Sequence, residues 1–253
     1  KASKLNYFGN VEGKEVIGGK VDVAVTDGFT GNVMLKSSEA VAKLITDKIL
    51  PGGRLAAPTL VPPFLKGYTP PAHTAYDLAA ARQLLADSGH AGGAGLPPLE
   101  ILYNNSEILR LVAEAIQQMW HRDLGIDARL ANQEFKVVMA NRRAGDFQIL
   151  LGDWTADYLD ATTFLDLWRH DSGNNYTGWS DPAYDALAAR ADATVDPTAR
   201  AAILAQEESL VLDAAPIIPI YFNTHVFMLH PSVKGWQPTP MDHIDFKYVW
   251  LEP

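Results

Sequence analysis

A chain of 253 residues, 47% hydrophobic and 20% charged, is long enough to bury one or two cores. It has no cysteine, which excludes a disulfide scaffold, a thiolate metal site and a thiol nucleophile. A net charge of −9 disfavours nucleic acid as the main partner, and no apolar run reaches the roughly 20 residues a spanning helix needs. No leader precedes Lys1, which reads as a processed or excised piece that is not membrane-spanning.

The basic residues change type along the chain. Lys1 to Lys43 holds six lysines, no arginine and five acids, for a charge of +1. From Leu44 onward, ten arginines and five lysines face twenty-five acids, giving −10. Lys and Arg differ where forked or stacked contacts are made, and little on a solvated face. The switch therefore reads either as chance clustering or as a junction between sequences of different origin. In the first stretch, Val21 to Val25 predicts a buried strand, Asp27 to Asn32 a turn-rich loop, and Val33 to Leu50 a helix. The N–H groups opening that helix could hold an anion, though on spacing alone an ordinary β–α turn is the favoured reading.

Asn6 to Gly13, followed by Val21 to Lys36 with its Asp27-Gly28-Phe29-Thr30-Gly31-Asn32 string, resembles an internal segment of the bacterial phosphate acyltransferase of phospholipid synthesis. The resemblance covers about residues 1–43. It implies a strand–loop–helix fragment of a cytoplasmic α/β enzyme, with Asp27, Asn32 and Lys36 near its anion or acyl site. Most of that family's sheet has no counterpart here, and a strand and loop alone cannot position two substrates.

From Leu44 the predicted elements follow in order. Six of the sixteen prolines fall between positions 51 and 71, an extended connector that Leu60, Val61, Phe64, Leu65 and Tyr68 anchor to a surface. Asp77 to Ser88 predicts a helix closed by Gly89, and Leu99 to Tyr103 a strand. Ser106 caps a long helix stopped at Gly125. Ile126 to Leu130 predicts a strand, Gln133 to Ala144 a helix ended by Gly145, and Phe147 to Leu151 a strand. Helices over Asp181 to Ala191 and Pro197 to Ala214 come next, then paired strands Ile217 to Phe222 and His225 to Leu229. Asp242 to Trp250 alternates like a further strand. The alternation predicts an α/β fold with a mainly parallel sheet.

The segment Asp146 to Trp179 is dense in chemistry: Asp153, Asp157 and Asp160 interleave with Trp154, Tyr158 and Trp168. Carboxylates beside aromatic walls suit a cationic group, which takes the charge while the rings exclude water. The alternative is that the rings are core anchors and the acids cap turns. No calcium-loop spacing, H-E-x-x-H or G-x-S-x-G occurs, so no metal, cofactor or catalytic residue is expected.

Leu60-Val61-Pro62-Pro63, Tyr103-Asn104-Asn105-Ser106, Asp123-Leu124-Gly125-Ile126, Asp153-Trp154-Thr155-Ala156-Asp157-Tyr158, Pro216-Ile217-Ile218-Pro219-Ile220-Tyr221 and Val233-Lys234-Gly235-Trp236 run in one order. Together they resemble the carboxy-terminal half of the oligopeptide-binding proteins that serve ABC importers, the extracytoplasmic solute-binding family 5. The resemblance spans about residues 44–253 and implies the second lobe of a periplasmic-binding-protein fold, with 235–253 the tail that returns to a first lobe. It implies a short peptide ligand, the importer's membrane subunits as partners, and a periplasmic or extracytoplasmic location. It places Asp157 on the peptide α-amine, Trp154 and Tyr158 at a side-chain pocket, Arg142 at the carboxylate, and Asn174 and Asn175 nearby. Some relatives carry His where this chain has Leu109 and Arg where it has Leu151, so the resemblance leaves peptide length open. The expectations are thus a non-enzymatic peptide-binding lobe joined to a foreign fragment, residual acyl-phosphate chemistry, or a recombined fold without activity.

Overall fold

The computed structural model describes residues 42–252 except positions 44, 51, 52, 72–76, 225, 226, 240 and 242. The strand and loop expected over 21–32, with Asp27, Asn32 and Lys36, lie outside the described residues. Of the helix expected to Leu50, the described end closes as a π-helical turn, Ile45–Ile49, with Ile45 fully buried.

β1 (Leu55–Ala56) is followed by α1 (Leu78–Asp87), where the Asp77 side chain accepts from the Ala80 N–H at 2.8 Å. β2 (Leu99–Asn104), β3 (Ala128–Gln133) and β4 (Ile149–Leu150) form a parallel sheet in the order β3-β2-β4. α2 (Glu107–Leu124) joins the first two strands, and α3 (Phe135–Ala144) joins the second to the third. Ser106 caps α2, and Gly125 ends it at φ 69°. Such crossovers are right-handed, and the first steps from β2 to β3 while the second steps back from β3 past β2 to β4, so the two helices cover opposite faces. Pleating sends Ile101 and Tyr103 into a core with Ala81 and Leu85 of α1 and Val112, Ile116 and Trp120 of α2. Leu102 points to the other face, where α3 packs on β2.

Ala131 and Asn132, read from the sequence as the link between elements, and Gln133, read as the helix start, are strand instead, and α3 begins at Phe135. Ala131, Asn132 and Gln133 pair with Leu102, Tyr103 and Asn104, and these ladder contacts override local helix propensity.

A helical layer follows: α4 (Thr162–Leu165), α5 (Pro182–Ala193) and α6 (Pro197–Ala214). The proline-rich passage docks on it, with Val61, Leu65 and Tyr68 buried beside Ile203 and Leu204. Tyr184 of α5 donates its hydroxyl to the Leu165 carbonyl at 2.6 Å.

The late strands do not pair with each other. β5 (Tyr221–Phe222) runs antiparallel to β1, and residues 227–229 form no strand. The Ala57 N–H extends this two-stranded pairing to the Ile220 carbonyl at 3.0 Å. The strand expected over 242–250 shrinks to β7 (Trp250–Leu251), antiparallel to β6 (Val233–Lys234) and preceded by a 3₁₀ turn, Phe246–Tyr248. Its alternating aromatic residues are there, but Phe246, Tyr248 and Trp250 stay exposed, so no second face holds them in extended register.

Candidate functional site

The chain leaves β2 toward β3 and then returns past β2 to β4. The switch in direction falls between the carboxyl ends of β2 and β4, where an open α/β sheet leaves a crevice for ligand. Asn105 and Ser106 follow β2 there, and the loop from Gly152 follows β4.

That loop carries three of the sequence-predicted residues. Trp154 is half-buried against the Val61–Leu204 core, with its indole nitrogen unpartnered. Asp157 is exposed; its backbone N–H donates to Thr163 Oγ1 at 3.0 Å, and its carboxylate has no partner among the described residues. Tyr158 stands 44% exposed, its hydroxyl donating to Thr162 Oγ1 at 3.3 Å, since the single hydroxyl hydrogen of Thr162 goes to Asp160. A carboxylate without a partner among the described residues, with Trp154 and Tyr158 near it in sequence, suits a cationic group.

Asp160 ties the loop to the helical layer. Arg200 of α6 grips it with both terminal nitrogens, at 2.8 and 2.9 Å, and Thr162 donates from its N–H and hydroxyl. The Arg200 bond, assisted by Thr162 and opposed by burial, holds the Asp160 carboxyl down to about 2.

The other predicted residues sit elsewhere. Arg142, in the last turn of α3, lays its guanidinium 4.1 Å from the Tyr176 ring centroid. Tyr176 in turn donates its hydroxyl to Asn174 at 3.3 Å. Asn175 Nδ2 donates to the carbonyls of Trp168, Arg169 and Trp179, and its oxygen accepts from Thr177 Oγ1, so this side chain pins its own loop. Leu109 and Leu151 belong to the apolar core. Two shallow hollows lie away from the crevice; the larger, of about 490 Å³, runs along α6 past Gln206, Ser209 and Asp213.

Sequence reasoning missed Glu207 and Glu208, both fully buried in α6. Glu208 accepts from the N–H groups of Leu60 and Val61 at 2.7 and 2.8 Å and from the Tyr68 hydroxyl. Burial raises its pKa, and the three donors oppose the rise. Glu207 has neither oxygen bonded, and burial pushes it up to about 8. The signal was the stripe of Ile203 and Leu204, then Val211 and Leu212, which passes through both acids at helical spacing. Among the described residues no group of side chains is arranged to hold a metal ion, and no helix is long and apolar enough to cross a membrane.

An open parallel sheet flanked by helices, with the chain reversing direction between β2 and β4, is the architecture of an α/β binding lobe. Residues 42–176, just over half the chain, match the bacterial extracellular solute-binding proteins, family 5, middle region, and the chain belongs to that family. Residues 1–50 match a different family, described as a fatty acid synthesis protein. The oligopeptide-binding protein OppA of Bacillus subtilis is 31% identical over 76% of this chain and 36% of its own length. The probable deoxycholate-binding periplasmic protein YgiS of Escherichia coli is 33% identical over 83% of this chain and 40% of its own length. The solved structure of the Escherichia coli murein tripeptide binding protein MppA superposes with a TM-score of 0.81 at 29% identity, covering 90% of this chain and 45% of that one. The chain thus spans about two fifths of the length of these curated relatives.

Proposed function

We propose that residues 44–253 form the second lobe of a peptide receptor serving an ABC importer outside the cytoplasm. The observation that carries the proposal is the exposed Asp157 carboxylate, without a partner among the described residues, in the loop that follows β4. It takes the α-amine of a short peptide, with Trp154 and Tyr158 flanking the first side chains. Arg142, already ordered over Tyr176, and Asn174 serve the carboxylate end, while Asn175 shapes the loop that presents them. The names of the relatives support a peptide, since OppA and MppA are oligopeptide- and murein-tripeptide-binding proteins. Titration calorimetry with short unmodified peptides, repeated with N-acetylated peptides and with Asp157→Asn, tests this. Heat that disappears on acetylation and in the variant supports the proposal. Equal heat in all three refutes the role of Asp157, and no heat from a cooperatively folded protein refutes peptide binding by this chain.

The match over residues 1–50 favours one second reading, acyl-phosphate chemistry through Asp27, Asn32 and Lys36. It predicts thioester loss that depends on orthophosphate. The overlap of the two matches at residues 42–50 supports a boundary near residue 43.

A further inference from the structure

Glu207 stands out because a carboxyl group with no exposed surface has neither oxygen hydrogen-bonded. An isolated carboxylate is too costly to bury, so such a group enters the fold protonated. Titratable groups from three helical segments and the proline-rich passage interact with it. The turn after α4 contributes Asp166 and Arg169, α5 contributes Tyr184 and Asp192, and α6 contributes Arg200 and Glu208, with Tyr68 from the proline-rich passage. Arg200 is already engaged, and Arg169 is engaged through its terminal nitrogens while its buried Nε has no hydrogen-bond partner. Arg169 forks onto Asp192 at 2.8 and 3.0 Å and reaches Asp166 at 2.8 Å. Arg200 forks onto Asp160, and Asp160 fixes the loop that carries Asp157. Arg200 and Glu207 stand two turns apart on one face of α6.

We propose that Glu207 is a proton-operated latch on the crevice loop: protonated, it leaves Arg200 and Arg169 to Asp160 and Asp192, and ionised, it competes for the same two guanidiniums and loosens the loop. Among the described residues, the other titratable groups that interact with Glu207 are acids or tyrosines, none of which can neutralise it. Burial displaces its titration to about pH 8, with Asp166 and Asp192 adding to the rise and Arg169 and Arg200 opposing it. The ionised fraction therefore rises roughly tenfold between about pH 7 and 9. The consequence for ligand rests on the proposed role of Asp157: alkaline conditions favour release and neutral or acidic conditions favour retention. The latch itself does not depend on that role, since it concerns the loop with no ligand present.

Hydrogen exchange of the full chain without ligand, corrected for the intrinsic pH dependence of exchange, tests the latch. In the unmodified protein, protection over Asp157 to Thr163 falls about tenfold between about pH 7 and 9, while the β2 and α2 amides hold. In Glu207→Gln and in Glu207→Met, either of which removes the ionisation, protection in the same loop stays level. A loop whose protection follows the same pH course in the unmodified protein and in a folded variant overturns the latch. So does a loop that stays level in the unmodified protein. A peptide titration that fails while the loop still responds to pH removes the ligand role of Asp157 and leaves the latch standing.

Discussion

Glu208→Ala deletes the acceptor for the Val61 N–H and the Tyr68 hydroxyl, both buried, and for the half-buried Leu60 N–H. A buried donor left without a partner costs about 1–3 kcal/mol, and the Leu60 N–H recovers water. Two orphaned donors therefore sum to about 2–6 kcal/mol, a large fraction of the stability of an ordinary domain. In a chain of this size the midpoint of thermal unfolding falls by about 2–4 °C for each kcal/mol lost. Tyr68→Phe keeps the ring and removes one bond, at about 1–2 kcal/mol. With Phe at position 68 there is one donor fewer to orphan, so the double variant loses less than the sum of the singles by about 1–2 kcal/mol. Urea denaturation followed by tryptophan fluorescence measures the cycle. A loss below about 1 kcal/mol for Glu208→Ala, or two losses that simply add, would refute the assignment of Glu208 as the clamp on the proline-rich passage.

The remaining expectations concern a close backbone approach and an acid titration. Gly125 and Gly145 both end helices with positive φ, but a Cβ on Gly125 meets the Gly92 carbonyl oxygen at 2.2 Å, whereas one on Gly145 meets nothing within 4 Å. Gly145→Ala should lose about 1 kcal/mol from backbone strain alone and Gly125→Ala at least twice that; equal losses in denaturant titrations would remove the close approach as the cause. The Asp160 carboxyl is held at about 2, below its ordinary 3.8, so its stabilisation is complete above pH 4 and lost as the pH falls through 2. Because the pair is about a third exposed, screening reduces the contribution to about 1 kcal/mol. Stability measured from pH 5 to 2 should fall less steeply in Asp160→Asn than in the unmodified protein, and parallel acid limbs would count against the Arg200 grip.

The candidate site was legible in the sequence in one respect. Asp153 to Tyr158 could be placed at the end of a strand because Phe147 to Leu151 carried a strand's composition, and the carboxyl end of a parallel strand is where ligand groups gather. The resemblance supplied a particular acid within that string, and the fold leaves the same acid uncommitted. Asn175 shows the opposite case. Its side chain bonds three carbonyls and a hydroxyl within its own loop, and composition cannot distinguish that use from contact with ligand.

What the sequence determined by itself is the set of features whose partners lie within a turn or two. Asp77, Ser106, Asp181 and Asp196 cap helices, Gly125 and Gly145 end them, and each acts on backbone groups two to five residues away. Tertiary structure decided what depends on distant partners. Residues 131–133 became strand because β2 lay beside them, and β5 found β1 across more than 160 residues of chain. Glu208 became a clamp because Leu60 and Val61, about 150 positions earlier, came to rest on its helix. Glu207 beside it, with the same side chain, received no donor. Local geometry puts both acids in the buried stripe of α6, but only the packing of other segments against that stripe fixes which is bonded and which must hold its proton.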